Sequence, residues 1–241
     1  MLRLVLLAAA CFAAPALAAD FSVSPIRVEL QRGARSAVVT VGNDDARPLR
    51  MQLRLMQWTQ DGAGRDIYRE SDELVYYPRL MTLAPRERRL VRIGVKAPAG
   101  AVERSYRLYL DELPGVDADT LRPATSVVSF SIRFALPVLV APAQPLARGA
   151  IDSITLRDGK LSVAVSNLGN HNFRIASVRA RGGAFAAETG GWYLLAGASR
   201  THTFEIPAAA CSALRRLDIE VLADKLSLEG GLDVDASMCP R

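Results

Sequence analysis

The chain has 241 residues, with 30 Lys and Arg against 25 Asp and Glu, three cysteines and two histidines. A formal charge of +5, with acids interspersed among the bases, argues against the clustered basic footprint of a nucleic-acid binder. The few cysteines and histidines show no Cys-x-x-Cys or His-x-x-x-His spacing, which leaves no convincing zinc site, and no apolar run reaches the roughly 18 residues of a spanning helix.

Residues 1–18 read as a secretory leader. Met1-Leu2-Arg3 supplies a basic start, Leu4 to Leu7 and an Ala-rich run supply a short apolar core, and Ala16-Leu17-Ala18 supplies a cleavage pattern. Cys11 does not make this a lipoprotein signal, because the apolar core before it is very short and Ala8 is a poor substitute for leucine. Cleavage near Ala19 would leave Cys211 and Cys239, an even pair in an exported chain, and a disulfide between them is the expected use.

Short runs with period-two alternation then recur along the whole chain, broken by Gly, Pro, Asn and Asp, which is the all-β pattern. The first half predicts strands over 21–31, 36–42, 49–59, 74–77, 80–83, 89–95, 106–113 and 126–140, with Gln60-Asp61-Gly62-Ala63-Gly64 as a turn. The second half predicts them over 151–156, 160–166, 172–181, 191–195, 200–206, 217–222 and 225–229. Asp158-Gly159 closes a hairpin, and 208–214 can form a helical turn. Pro137 to Pro145 divides the halves into two units, each near the size of an immunoglobulin-like sandwich. Residues 19–141 are therefore expected to form one β-sandwich and 142–241 a second, with no internal repeat evident.

The strand within 123–141 is the longest apolar one. Val128, Phe130, Ile132, Phe134 and Leu136 share one face, while Val127, Ser129, Ser131, Arg133 and Ala135 share the other. So long an apolar strand at a sheet edge is a template for another chain. On the first strand Ile26, Val28 and Leu30 alternate with Pro25, Arg27 and Glu29, so Arg27 projects away from the local core. Arg27 alone reads as a surface residue, but with Arg133 on a flanking strand it would form a receptor for an anion.

Four stretches together resemble the periplasmic chaperones of pilus and fimbria assembly, the PapD-like proteins of the chaperone–usher pathway. They are Ser24-Pro25-Ile26-Arg27-Val28, Pro78-Arg79 to Leu83-Ala84-Pro85 leading into 88–95, Glu103 to Pro114, and Ile132-Arg133-Phe134. The resemblance spans essentially all of the chain after the leader and is strongest in its first half. It implies two immunoglobulin-like β-sandwich domains arranged as a boomerang, the first lending a donor strand to an incomplete pilin subunit by β-strand addition. By position in the motif, Arg27 and Arg133 would hold the subunit's C-terminal carboxylate, Arg133 standing where a lysine is usual. Val128, Phe130 and Ile132 would form the donor row, with Phe134 at its end. Tyr106-Arg107-Leu108-Tyr109-Leu110-Asp111-Glu112-Leu113-Pro114 is more similar to the archaic branch, whose subunits resemble spore-coat-U-type proteins.

No Gly-x-Ser-x-Gly elbow, phosphate loop or zinc spacing accompanies His171 and His202, so no enzymatic activity, cofactor or metal is expected. The reading is a periplasmic chaperone that caps pilus subunits and delivers them to an outer-membrane usher, with no nucleic-acid partner and no membrane insertion. The competing reading is an exported two-sandwich adhesin, pilin or ligand-binding protein.

Overall fold

The computed structural model describes residues 20–113 and 131–240. Its first ten strands are β1 (Phe21–Ser24), β2 (Val28–Leu30), β3 (Ser36–Asn43), β4 (Leu49–Gln60), β5 (Asp66–Glu70), β6 (Leu74–Tyr77), β7 (Leu80–Leu83), β8 (Arg88–Val95), β9 (Arg104–Glu112) and β10 (Arg133–Val140). They form a sheet in the order β1-β3-β8-β6 facing a second in the order β2-β10-β9-β4-β5, with β7 also on β4. Inward side chains of both sheets, Val39, Val41, Val91 and Ile93 against Leu53, Leu108, Leu110, Leu136 and Val138, interdigitate in one core. Each such burial contributes about 1.5–3 kcal/mol.

The second half repeats the plan. Its strands are β11 (Gly149–Arg157), β12 (Lys160–Asn167), β13 (Phe173–Gly182), β14 (Phe185–Gly190), β15 (Tyr193–Leu194), β16 (Ser199–Glu205), β17 (Arg216–Ala223) and β18 (Ser227–Asp233). β11-β12-β16 packs on β14-β13-β17-β18, with β15 beside the start of β13. The one α-helix among the described residues, α1 (Ala208–Ala213), carries Cys211, which is disulfide-bonded to Cys239.

The expected 21–31 strand is two strands in different sheets. β1 pairs with β3, while β2 runs parallel to β10 through Val28↔Val138. Pro25 and its missing N–H stand at the switch. As a result Ile26 is 69% exposed, instead of sharing the inward face of Val28 and Leu30. β5 and β14 lie in stretches where alternation predicted no strand.

One device occurs in both sandwiches. Asn43, ending β3, donates from Nδ2 to the carbonyls of Arg47 (2.8 Å), Leu83 (3.2 Å) and Ala84 (3.1 Å), and its Oδ1 accepts from Asp45 N at 3.0 Å. Asn167, ending β12, donates to the carbonyls of His171 and Leu194 (both 2.9 Å) and accepts from Gly169 N at 2.9 Å. Both are buried, and each leads after the same spacing into a long strand, β4 or β13. The turn satisfies backbone groups that would otherwise lie unpaired under a loop.

Candidate functional site

The register of β2, β10, β9 and β4 sets out the outer face of their sheet row by row. Leu139 pairs with Ser105, Pro137 with Arg107, Ala135 with Tyr109 and Arg133 with Asp111. Arg27, one residue before Val28, lies at the level of Pro137. Arg27, Pro137 and Arg107 therefore form one row, beside the row of Leu139 that the second sandwich covers. Leu139 and Trp58 are buried there with Tyr193 and Leu195 of the second sandwich.

Arg27 is closed onto acids from both sandwiches: it pairs with Glu29 and, at 3.6 Å, with Asp224. Its guanidinium also lies 5.3 Å from the Tyr193 ring centroid. Arg107 is 5% exposed and lies in an aromatic cage, 4.0 Å from Trp58, 5.2 Å from Trp192 and 5.7 Å from Tyr193. Its Nε and Nη2 have no hydrogen-bond partner among the described residues, nor has Arg27 Nε. Buried guanidinium donors without acceptors are costly. These unmet donors lie in one row, Arg27 compensated by Glu29 and Asp224 and Arg107 closed in by the three rings.

Arg133 is four residues along β10 from the level of Arg27, about 13 Å at strand rise. It is exposed and donates from Nε to Asp111 Oδ1, while Arg54 donates to Asp111 Oδ2 at 2.8 and 3.0 Å. Burial would raise the Asp111 carboxyl, but the hydrogen bonds from Arg133 and Arg54 outweigh it and hold the group below its ordinary range. The structure does not bring Arg27 and Arg133 into contact; it brings Arg27 level with Arg107.

Of the expected donor residues, Val128 and Phe130 lie outside the described residues. Ile132 is half-buried at the entry to β10, and its N–H donates to Glu112 Oε2 at 3.1 Å. Phe134 is half-buried against the first sandwich's own core and meets Phe21 edge-on at 6.3 Å. Leu136, Val138 and Val140 belong to that same core. The even face of β10 is thus spent inside the chain from Phe134 onward.

The first sandwich is held to the second by the hairpin joining β4 and β5. Gln60 Nε2 donates to Tyr193 O and Gln60 Oε1 accepts from Leu195 N, both at 2.9 Å. Trp192 Nε1 donates to Asp66 at 3.0 Å and Arg200 to Gly64 O at 2.7 Å. Gly64 has φ +72°, and a Cβ there would meet Ser199 O at 2.5 Å, so no other residue fits without a shift.

The profile of the pili and flagellar-assembly chaperones, PapD N-terminal domain, matches residues 20–145, more than half of the chain. The chain belongs to this chaperone family. No curated protein matches it in sequence. Solved chaperones share its fold throughout. In the CsuC–CsuE chaperone–tip adhesion subunit complex of archaic Csu pili from Acinetobacter baumannii, the match has a TM-score of 0.63 at 18% identity and covers 90% of this chain and 98% of that one. The YadV chaperone matches with a TM-score of 0.59 at 12% identity, over 89% and 100%. The complex of SafA pilin with the SafB chaperone of Salmonella enterica matches at 0.57 and 17%, over 90% and 99%.

For a chaperone of this family the residues that sequence reasoning passed over are those of the domain junction. Arg107 entered the sequence reading only as part of the 106–114 motif, and its cage is completed by Trp192 and Tyr193 from the other sandwich. No helix among the described residues is long and apolar enough to cross a membrane.

Proposed function

We propose that the protein is a periplasmic chaperone that holds pilus subunits by lending them a strand and passes them to an outer-membrane usher. The observation that carries this reading is the row of guanidinium groups at the domain junction, Arg27 level with Arg107 beside β10. Val128, Phe130 and Ile132 form the lent row, each burial contributing about 1.5–3 kcal/mol before ordering costs. Main-chain pairing along the strand supplies the rest, as in other β-strand additions.

The subunit's terminal carboxylate is anchored either at the level of Arg27, which exchanges Glu29 for it, or at the level of Arg133, which exchanges Asp111. Arg107 offers unmet N–H donors level with Arg27, so a carboxylate seated low in the cleft takes this pair and one seated high takes Arg133 with Arg54. The likeness to CsuC, together with the 106–114 motif, supports assignment to the archaic branch. The leader-like pattern of residues 1–18 supports work in the periplasm. The usher is given the face opposite the cleft, where Val38, Val75, Tyr77 and Leu90 are exposed on the sheet of β3, β8 and β6. That face stays free while the cleft is filled.

The test is co-expression with the subunit encoded beside the chaperone. Arg27→Ala, Arg107→Gln and Arg133→Ala are each expected to fold and to reduce subunit recovery from the periplasm. The larger loss, at Arg107 or at Arg133, reports where the carboxylate sits. Full recovery with all three variants overturns the anchor. Phe130→Asp is expected to weaken capture without lowering the free chaperone's melting temperature; a lowered melting temperature assigns Phe130 to the core instead.

A further inference from the structure

The loop that follows Asn167 is not solvated like its counterpart after Asn43; it is built into the junction. Asn170 donates to Ala101 O and Gln144 O at 2.8 and 2.9 Å and accepts from Leu146 N at 2.7 Å. Asn172 donates from Nδ2 to both carboxylate oxygens of Glu103, each at 2.7 Å. Between these two asparagines stands His171, whose Nε2 is 3.0 Å from Lys225 Nζ and 3.3 Å from Glu103 Oε2. Lys225 also donates to Asn172 O at 2.6 Å. The Glu103 side chain is 2% exposed.

One ring nitrogen cannot serve both neighbours in the same state. A lone pair on Nε2 accepts from the Lys225 ammonium, whereas an N–H there donates to the Glu103 carboxylate. We propose that His171 is a proton-operated latch between the sandwiches: neutral, it holds Lys225 of its own sandwich; protonated, it pairs with Glu103 of the other and releases Lys225. The groups facing it come from three places: Glu103 ahead of β9, Lys225 and Asp224 from the turn between β17 and β18, and Arg27 and Glu29 from the start of β2. Burial, then the charge of Lys225, pushes the imidazole below the ordinary histidine value, so the neutral arrangement holds at neutral pH. Burial likewise pushes the Glu103 carboxyl up and the Lys225 ammonium down. An exported chain experiences external acidity directly, and the latch links that acidity to how the two cleft walls are tied.

The chain's two tryptophans, Trp58 and Trp192, both lie at this junction, so selectively excited tryptophan emission reports on it. Emission of the full-length mature protein, followed from pH 8 to pH 5, is expected to shift along a sigmoid whose midpoint matches the His171 ring titration followed by NMR in the same protein. Lys225→Met is expected to move both midpoints upward. His171→Gln is expected to abolish the fluorescence step, and His202→Gln to leave it in place. A flat fluorescence curve in the unsubstituted protein, a midpoint that differs from the His171 titration, or a step that survives His171→Gln overturns the latch. None of these readings uses a subunit, so their failure is separable from failure of the chaperone reading.

Discussion

The two sandwiches solve the same local problem with the same residue and then use the result differently. Asn43 and Asn167 each close the turn after a core strand by feeding one buried side-chain amide into neighbouring carbonyls. After Asn43 the loop carries Asp44, Asp45 and Arg47, with an Asp45–Arg47 ion pair at 3.2 Å in solvent. After Asn167 the corresponding loop carries Asn170, His171 and Asn172, and all three face the first sandwich. A turn fixed by its own asparagine tolerates change at its tip. One copy's tip could therefore become an interface while the other stayed a surface.

The sandwiches also differ in what holds them closed. Only the second has a disulfide among the described residues, and it ties α1 to the last residues across a separation of 28. A cross-link of that span restricts the unfolded chain by about 3.5 kcal/mol. The Cys211→Ala/Cys239→Ala variant is expected to lower the second sandwich's urea transition by about that amount and to leave the first unmoved. Equal shifts in both would show that the two unfold as a single unit.

Next in size is the asparagine pair itself. Replacing a buried amide that serves two or three carbonyls leaves those carbonyls unmet, at about 1–3 kcal/mol for each one left without water. Asn43→Ala is expected to destabilise the first sandwich by about 2–4 kcal/mol with no change in Trp58 and Trp192 emission. Asn167→Ala is expected to cost a similar amount and to shift that emission, because its loop carries His171 and Asn172 into the junction. The comparison breaks if the two variants behave alike by fluorescence.

Strand content was legible because core strands here are flanked by solvent on one face, so period-two alternation marks them directly. β5 and β14 escaped it: Asp66-Ile67-Tyr68-Arg69-Glu70 and Phe185-Ala186-Ala187-Glu188-Thr189-Gly190 are edge strands with little to bury. The repeated asparagine turn is carried by one side chain and a spacing, too sparse a signal to register as a repeat. At the site, Arg27 was legible through its motif and parity. The cage of Arg107 was not, because three aromatic rings from two sandwiches meet there only after folding. The register that parts Arg133 from Arg27 is likewise a property of the parallel β2–β10 pairing, which no alternation pattern encodes.

The smallest effect expected separates the sandwiches by acidity. Both histidines of the chain lie in the second sandwich. His202 on β16 is buried, and its Nε2 has no partner among the described residues. Burial, with Arg200 adding to it, pushes the imidazole below the ordinary value. The unfolded chain then binds a proton that the folded one refuses, so stability is fully present above the unfolded value of about 6.5 and declines as pH falls below it. Between pH 7.5 and 5.5 the second sandwich's urea midpoint is expected to fall while the first's stays level, and His202→Gln should flatten part of that decline. A first-sandwich midpoint that falls equally would place the acid sensitivity in carboxylates common to both halves rather than in the imidazole.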